Sequence, residues 1–427
     1  MGSDILSKSL SAAERAATAA QAAAPEPNLR RLRALLAVAE HGAIVRASAA
    51  LHRSQSVVTR AVLDLEEELG APLFERSRQG MLPTDTGRIL VHRARRALDE
   101  LHAAEGDLAA AGAPARFAQK LTHRQLQVLI AVTDGQSETQ AARRLALTQP
   151  AVNRSLRELE RLIGKPLFYR MARGMIPTPC GEALTRRAKL ALAELGRTRD
   201  DMAAHHGRLT GRIGIGTLPL CATLLVPRAV DRLLREYPDL DVSILDGSYD
   251  PLLASLRCGD IDVLVGALRN PAPAEDVVQE RLFDDRLSIV ARRDHPLAGR
   301  PSLSLRDLAR EQWIVPRLGT PARSRFEEIF ASARMPLPEH TIESGSWVTV
   351  RALLLESGRL ALISRQQIHF EEASGVLAVL RVDLPDRARP IGITTRRGTS
   401  PSRGVELLVG QLRAVSAALA SERPTIT

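Results

Sequence analysis

The sequence predicts an α plus α/β fold: two tandem copies of a small helical module, each ending in a long helix, then a two-lobed α/β unit. Three observations predict it. Residues 29–88 repeat at 123–182 with a constant offset of 94, no gap, and 22 of 60 aligned positions identical. Lys and Arg outnumber Asp and Glu by 31 to 22 over residues 1–210, but only by 28 to 27 over the remainder. From Leu209 onward, RIGIG (212–216), DVSIL (241–245), DVLVGA (262–267) and LSIVAR (287–292) alternate with helical segments at 225–236, 249–258 and 347–357. That alternation argues for βαβ units and a mainly parallel sheet.

The 427 residues suggest about three folded units. Residues 1–27 are Ala-rich, end in Pro25-Glu26-Pro27, and predict a disordered lead-in. Charged residues interrupt them, so they do not read as a secretory signal. Cys180, Cys221 and Cys258 lack the close pairing of a zinc site or a disulfide framework, which fits a reducing, cytoplasmic setting. There is no uninterrupted apolar stretch of about 18 residues, so no membrane span is expected. A cationic surplus confined to one half points to a polyanionic partner for that half, most simply nucleic acid.

Within the second copy, TQAARRL (139–145) predicts a short helix with Ala141, Ala142 and Leu145 inward, followed by a tight turn at Ala146-Leu147. Thr148 is placed to cap the next helix, 149–163, and Pro150 is tolerated in a first turn, where amides are unpaired. Val152, Leu156, Leu159 and Ile163 form its apolar stripe, leaving Gln149, Asn153, Arg154 and Arg157 outward. Copy one has ASAAL (47–51), a turn at His52-Arg53, the cap Ser54, and Gln55, Ser56, Thr59 and Arg60 outward. Two short helices with a polar second one form a helix-turn-helix, whose second helix lies in the major groove of DNA. Gln and Asn pair bidentately with adenine and Arg with guanine. Arg76, Arg78, Arg170 and Arg173 follow this helix, where phosphate contacts would set register. Apolar-periodic stretches at 86–110 and 181–206 predict long helices, and AAGAPAR (110–116) links the copies. Either long helix can pack on its own domain or pair with a second subunit; the second is the stronger candidate for dimerisation.

The run TQPAVNRSLRELERLIGKPLFYR, with IPTPCG and the preceding AARRL, resembles the LysR-type transcriptional regulators, and the resemblance extends from Leu29 to about Ala420. It implies two winged helix-turn-helix domains (28–87 and 118–182), two linker helices (88–112 and 183–207) and an effector domain of periplasmic-binding-protein type over 210–420. Lobe one would take about 210–283 and 385–420, lobe two about 284–384. The IGTLP and DVLVGALR runs resemble members that respond to sugars or aromatic acids. One departure is clear: the usual family chain has a single helix-turn-helix. The resemblance implies double-stranded operator DNA, a small-molecule effector, a homodimer or homotetramer, and RNA polymerase as partners, with no enzymatic activity.

In an open α/β fold, ligands bind at the carboxyl ends of strands. The candidate effector residues are therefore Thr217, Leu218 and Pro219; Ser248 and Tyr249; Ala267 and Leu268; Thr320; and Ser346 and Trp347, with Arg317 to pair a carboxylate or phosphate. No cofactor is expected. Gly214 and Gly216 are followed by Pro219 where a third dinucleotide-binding glycine would stand, and no phosphate loop occurs. His205-His206 has no thiol or carboxylate at ligand spacing, so no metal is expected and a solvated helix end is. Cys221 predicts a buried, inert thiol. The alternatives are a solute-binding or enzymatic α/β protein with an appended basic region, and an architectural DNA-coating protein without an effector.

Overall fold

The computed structural model describes residues 28–78, 80–172, 174–384 and 388–421. The lead-in expected over 1–27, and Arg173, lie outside the described residues. The chain divides into two compact units at Arg208/Leu209.

The first unit holds the repeat. Copy one runs α1 (Leu29–His41), α2 (Ile44–Ala50), α3 (Gln55–Leu69), the hairpin β1 (Phe74–Ser77) and β2 (Gly80–Pro83), and α4 (Asp85–Ala109). Copy two runs α5 (His123–Gly135), α6 (Glu138–Arg144), α7 (Gln149–Ile163), β3 (Phe168–Met171), β4 (Gly174–Pro177) and α8 (Pro179–His205). The shared motif residues turn out to be a clasp for the hairpin. Glu66 accepts the Leu73 amide at 2.8 Å, as Glu160 accepts that of Leu167 at 2.9 Å. Thr84 donates to the Pro72 carbonyl and caps α4 at Gly87; Thr178 does the same with Pro166 and Gly181. Glycine is required at Gly80, because a Cβ there would lie 2.4 Å from the Gly42 carbonyl oxygen at φ +119.

The two long helices pack against each other, antiparallel, within this one chain. Asp85 at the start of α4 lies 3.7 Å from His205 at the end of α8, and Asp107 near the end of α4 pairs with Arg186 and Arg187 near the start of α8. Leu90, Ala94, Ala97, Leu101, Leu184, Ala188, Ala191 and Leu195 share one apolar core with both modules. The apolar stripe of α8 thus packs on α4 of the same chain, and periodicity could not reveal this, because an apolar stripe does not name its partner.

The second unit has two five-stranded sheets. Lobe one is built from β5 (Gly211–Thr217), β6 (Leu240–Asp246), β7 (Val263–Ala267), β8 (Val277–Asp285) and β14 (Arg389–Arg396), in the order β6-β5-β7-β14-β8. Lobe two is built from β9 (Leu287–Arg292), β10 (Trp313–Val315), β11 (Ile342–Glu343), β12 (Leu360–Ser364) and β13 (Leu377–Val379), in the order β11-β10-β12-β9-β13. Helices cover them, numbered in chain order: α9 (Pro219–Ala222), α10 (Leu225–Glu236), α11 (Tyr249–Cys258), α12 (Pro321–Ser332), α13 (Trp347–Glu356), α14 (His369–Ala373) and α15 (Arg403–Ser421). Leu225, Ala229 and Leu233 of α10 share a core with Leu408, Leu412 and Val415 of α15.

The sheets are mixed, not mainly parallel as the sequence suggested. β5 runs parallel to β6 and β7, but β14 runs antiparallel to β7 and β8. The reason is topological: β14 returns from lobe two, enters lobe one where β7 ends (Ile391 opposite Ala267), and must run the other way. Asp285 marks this crossing. Its buried carboxylate accepts from Arg389 at 2.8 and 2.9 Å, and from the Ser364 hydroxyl of lobe two at 2.5 Å.

Candidate nucleic-acid interface and effector cleft

On α3, Gln55, Ser56 and Arg60 are exposed and Thr59 is half-buried; on α7, Gln149, Pro150, Arg154 and Arg157 are exposed and Asn153 is half-buried. The buried sides, Val58, Val62 and Leu65 in one and Val152, Leu156, Leu159 and Ile163 in the other, orient both helices. Ser54 and Thr148 occupy the cap positions, yet neither hydroxyl caps its helix. Carbonyls do that work, with the amides of Val57 and Ala151 bonding back to Ser54 and Thr148 at 3.1 and 3.0 Å. Both cap side chains are exposed, and the Ser54 hydroxyl sits 3.0 Å from that of Ser56. Arg76 and Arg78 in the first hairpin and Arg170 in the second are exposed. Arg60 lies along its own helix against Asp64 at 2.6 Å.

Glu138 is a residue the sequence reading missed. It opens α6, only 10% of its side chain is exposed, and it accepts from Asn153 Nδ2 at 2.9 and 3.1 Å and from Gln149 Nε2 at 3.4 Å; Arg170 stands 3.5 Å away. Copy one has Ile44 at the equivalent position. The offset of 94 could have shown that difference, but not the contact.

In the second unit, β5, β6 and β7 end side by side, bringing together Thr217, Leu218 and Pro219, Ser248 and Tyr249, and Ala267 and Leu268. Leu218 fills the space a Cβ on Gly266 would need. Thr217 is buried and donates to its neighbour's carbonyl. On lobe two, β10 and β11 end together. Thr320 caps α12 and donates to the Arg317 carbonyl at 2.7 Å, Ser346 caps α13 ahead of Trp347, and the exposed Arg317 packs beside Gly345. The two lobes touch where Thr223, just past α9, donates to the Gln366 carbonyl at 3.4 Å, beyond β12.

The chemistry gathers on Tyr249, one of the expected residues, and on Arg269 and Gln366, which were not among them. The Arg269 guanidinium lies 4.1 Å from the centre of the Tyr249 ring. Arg269 Nη1, Tyr249 Oη and Gln366 Oε1 are buried without hydrogen-bond partners, which is costly unless something supplies them. Burial lowers the Arg269 pKa and raises that of Tyr249. Cys221 is fully buried, and desolvation with Asp285 nearby pushes its thiol up to about 12, so it stays protonated.

Comparison with known proteins bears on the same regions. The description "Bacterial regulatory helix-turn-helix protein, lysR family" matches twice, at residues 29–88 and 123–182, and "LysR substrate binding domain" matches residues 206–417. The chain belongs to the LysR family. It is a LysR-type DNA-binding transcriptional regulator, with two helix-turn-helix modules on one substrate-binding domain, in a family that is not enzymatic. This LysR chain is 38% identical over 390 residues to the HTH-type transcriptional regulator GalR of Pseudomonas putida, covering 91% of this chain and 97% of that one. An alignment that long must run through both modules. It is 31% identical over 296 residues to the HTH-type transcriptional regulator PcaQ of Agrobacterium fabrum, covering 69% and 95%. Among solved structures, a full-length OxyR variant from Pseudomonas aeruginosa aligns at 23% identity with TM-score 0.57, covering 71% of this chain and 99% of that one. The LysR family regulator CbnR aligns at 21% identity and TM-score 0.51, covering 69% and 99%. Both show the LysR fold. No described helix is long and apolar enough to cross a membrane.

Proposed function

We propose that this LysR-type regulator acts in the cytoplasm, reads operator DNA with both α3 and α7, and is controlled by a small anionic metabolite held between the lobes of its substrate-binding domain. The observation that carries the DNA reading is the paired exposure of Gln55 and Arg60 on α3 and of Gln149 and Arg154 on α7, each helix followed by a hairpin with exposed arginine, Arg76 and Arg78 in the first and Arg170 in the second. Ser54, Ser56, Thr59, Thr148, Pro150, Asn153 and Arg157 complete the proposed contacts with bases and sugar-phosphate, and Arg76, Arg78, Arg170 and Arg173 the phosphate contacts.

The effector reading is supported by Arg269. A half-buried guanidinium whose Nη1 is buried and unpartnered, stacked on an aromatic ring at the carboxyl edge of a sheet, favours a carboxylate. In this reading Thr217, Ser248, Tyr249, Thr320 and Ser346 would supply polar atoms to the ligand, Leu218, Pro219, Ala267, Leu268 and Trp347 apolar walls, and Arg317 a second cation. Control requires that the metabolite bind one lobe arrangement better than the other. Association of chains into dimers or tetramers and contact with RNA polymerase would pass that preference on.

Enrichment of duplexes from a randomised pool tests the first part: failure to enrich any sequence overturns it. Thermal shift against aromatic and sugar carboxylates tests the second, since an excess of bound ligand raises the melting temperature; no shift from any carboxylate overturns that part.

A further inference from the structure

The joint between α4 and α8 carries a reciprocity that the repeat itself explains. Arg93 on α4 donates to Glu194 at 2.7 Å and Asp201 at 2.6 Å on α8. Arg187 on α8 donates to Glu100 at 2.7 Å and Asp107 at 2.8 Å on α4. Under the offset of 94, Arg187, Glu194 and Asp201 are the copy-two equivalents of Arg93, Glu100 and Asp107. The members of each set stand seven residues apart and so share one face of their helix. Each arginine therefore meets, on the other helix, the counterparts of its own helix's two carboxylates. That is the signature of an isologous two-fold contact, in which i touches j and j touches i. Here one chain makes it with itself.

The operation that exchanges the helices also exchanges what they carry. Each long helix is fastened to its module by the same clasp, Thr84 with Pro72 and Gly87, Thr178 with Pro166 and Gly181. Both modules and the joint share one apolar core. A two-fold that relates α4 to α8 would relate α3 to α7 as well, as in the two halves of a dimeric DNA-binding protein.

We infer that one chain by itself reads a complete inverted-repeat site, and that the two halves of this site differ in sequence. The inference rests on the proposal that both modules read DNA. The halves differ because the readers do. Thr59 faces Asn153 in the alignment, Ser56 faces Pro150, the exposed Leu63 faces Arg157, and Ile44 faces the Glu138 that pins Asn153. Asn pairs bidentately with adenine where Thr cannot, and an extra arginine favours guanine.

The test uses the full chain and duplexes it enriches from a randomised pool. At protein concentrations far above Kd, titration with a duplex carrying one two-part site gives one duplex per chain if the pair of readers is made in cis. A ratio of one duplex per two chains overturns the inference. Base-resolved interference mapping with Arg60→Ala and Arg154→Ala gives an independent reading on surface variants that leave the core intact. Each is expected to weaken discrimination by roughly tenfold in one half only, and in opposite halves. Equal loss in both halves from Arg154→Ala, with none from Arg60→Ala, overturns it, because that pattern needs two copies of α7. If no duplex enriches, DNA reading fails first and takes this inference with it, an outcome distinct from either of the other two.

Discussion

Glu138 and Asn153 share two hydrogen bonds, from one amide nitrogen to both carboxylate oxygens, at 2.9 and 3.1 Å. A carboxylate thus stands behind the face that α7 turns outward, holding the side chain best suited to reading adenine and standing close to Arg170. Near phosphates it repels; towards Asn153 it imposes an orientation.

Glu138→Ala is therefore expected to raise affinity for unrelated duplexes several-fold at low salt while reducing discrimination in the half-site read by copy two. Glu138→Gln removes the charge but keeps an acceptor, and should retain more of the discrimination. Competition gel shifts at two salt concentrations measure both effects.

The two central arginines of the helical joint should differ in cost despite their equivalent positions. Arg93 is 2% exposed, and Arg93→Ala takes from the nearly buried Glu194 its closest cation, leaving Arg96 at 3.2 Å and Arg197 at 3.4 Å, a loss of roughly 2–3 kcal/mol. Arg187 has a side chain 22% exposed, so water partly replaces it, and Arg187→Ala should cost nearer 1 kcal/mol. Denaturant unfolding followed by circular dichroism ranks the two.

Acid should soften the first unit in two stages. Desolvation, then the charges of Arg93 and Arg96, hold His92 below its ordinary 6.5, against the opposing pull of Glu194 and Asp201. The unfolded chain therefore takes up that proton first, and the contribution of His92 is complete above about pH 6.5 and lost below it. The hydrogen bond from Arg187 holds Asp107 below 3.8, so its contribution survives to about pH 4 and is lost as pH falls further. Unfolding midpoints against pH should show both stages, with His92→Asn removing the first and Asp107→Asn the second.

Arg269→Met keeps the length and apolar stem of the side chain while deleting the charge over Tyr249. Carboxylate binding is expected to weaken tenfold or more, with DNA binding in the absence of ligand unchanged. Thermal-shift titration and a gel shift on the same preparation check both halves of that statement.

Much of this architecture was legible in the sequence because it is local. The helix 149–163 follows from a Thr-Gln-Pro start, an apolar stripe and Gly164, and the structure places Gln149–Ile163 in a helix. The repeat announced itself, though several of its most regular residues, Glu66, Pro72, Thr84 and Gly87, serve to close the hairpin onto the helices beside it. What stayed hidden depends on distant partners. Nothing in residues 183–207 says that α4 of the same chain covers them. Arg269 and Gln366 acquire meaning only once Tyr249 and Thr223 are folded beside them. Strand direction at β14 was equally invisible, because it is set by the chain's return from the other lobe.

The seven residues 110–116 that join the copies have a consequence for mass action. Two readers recruited from separate molecules assemble in proportion to the square of their abundance and come apart on dilution. Two readers tethered by a short connection see each other at about millimolar effective levels however scarce the molecule is. Promoter occupancy should then track the first power of the amount of protein, so a cell holding only a few copies keeps a working reader.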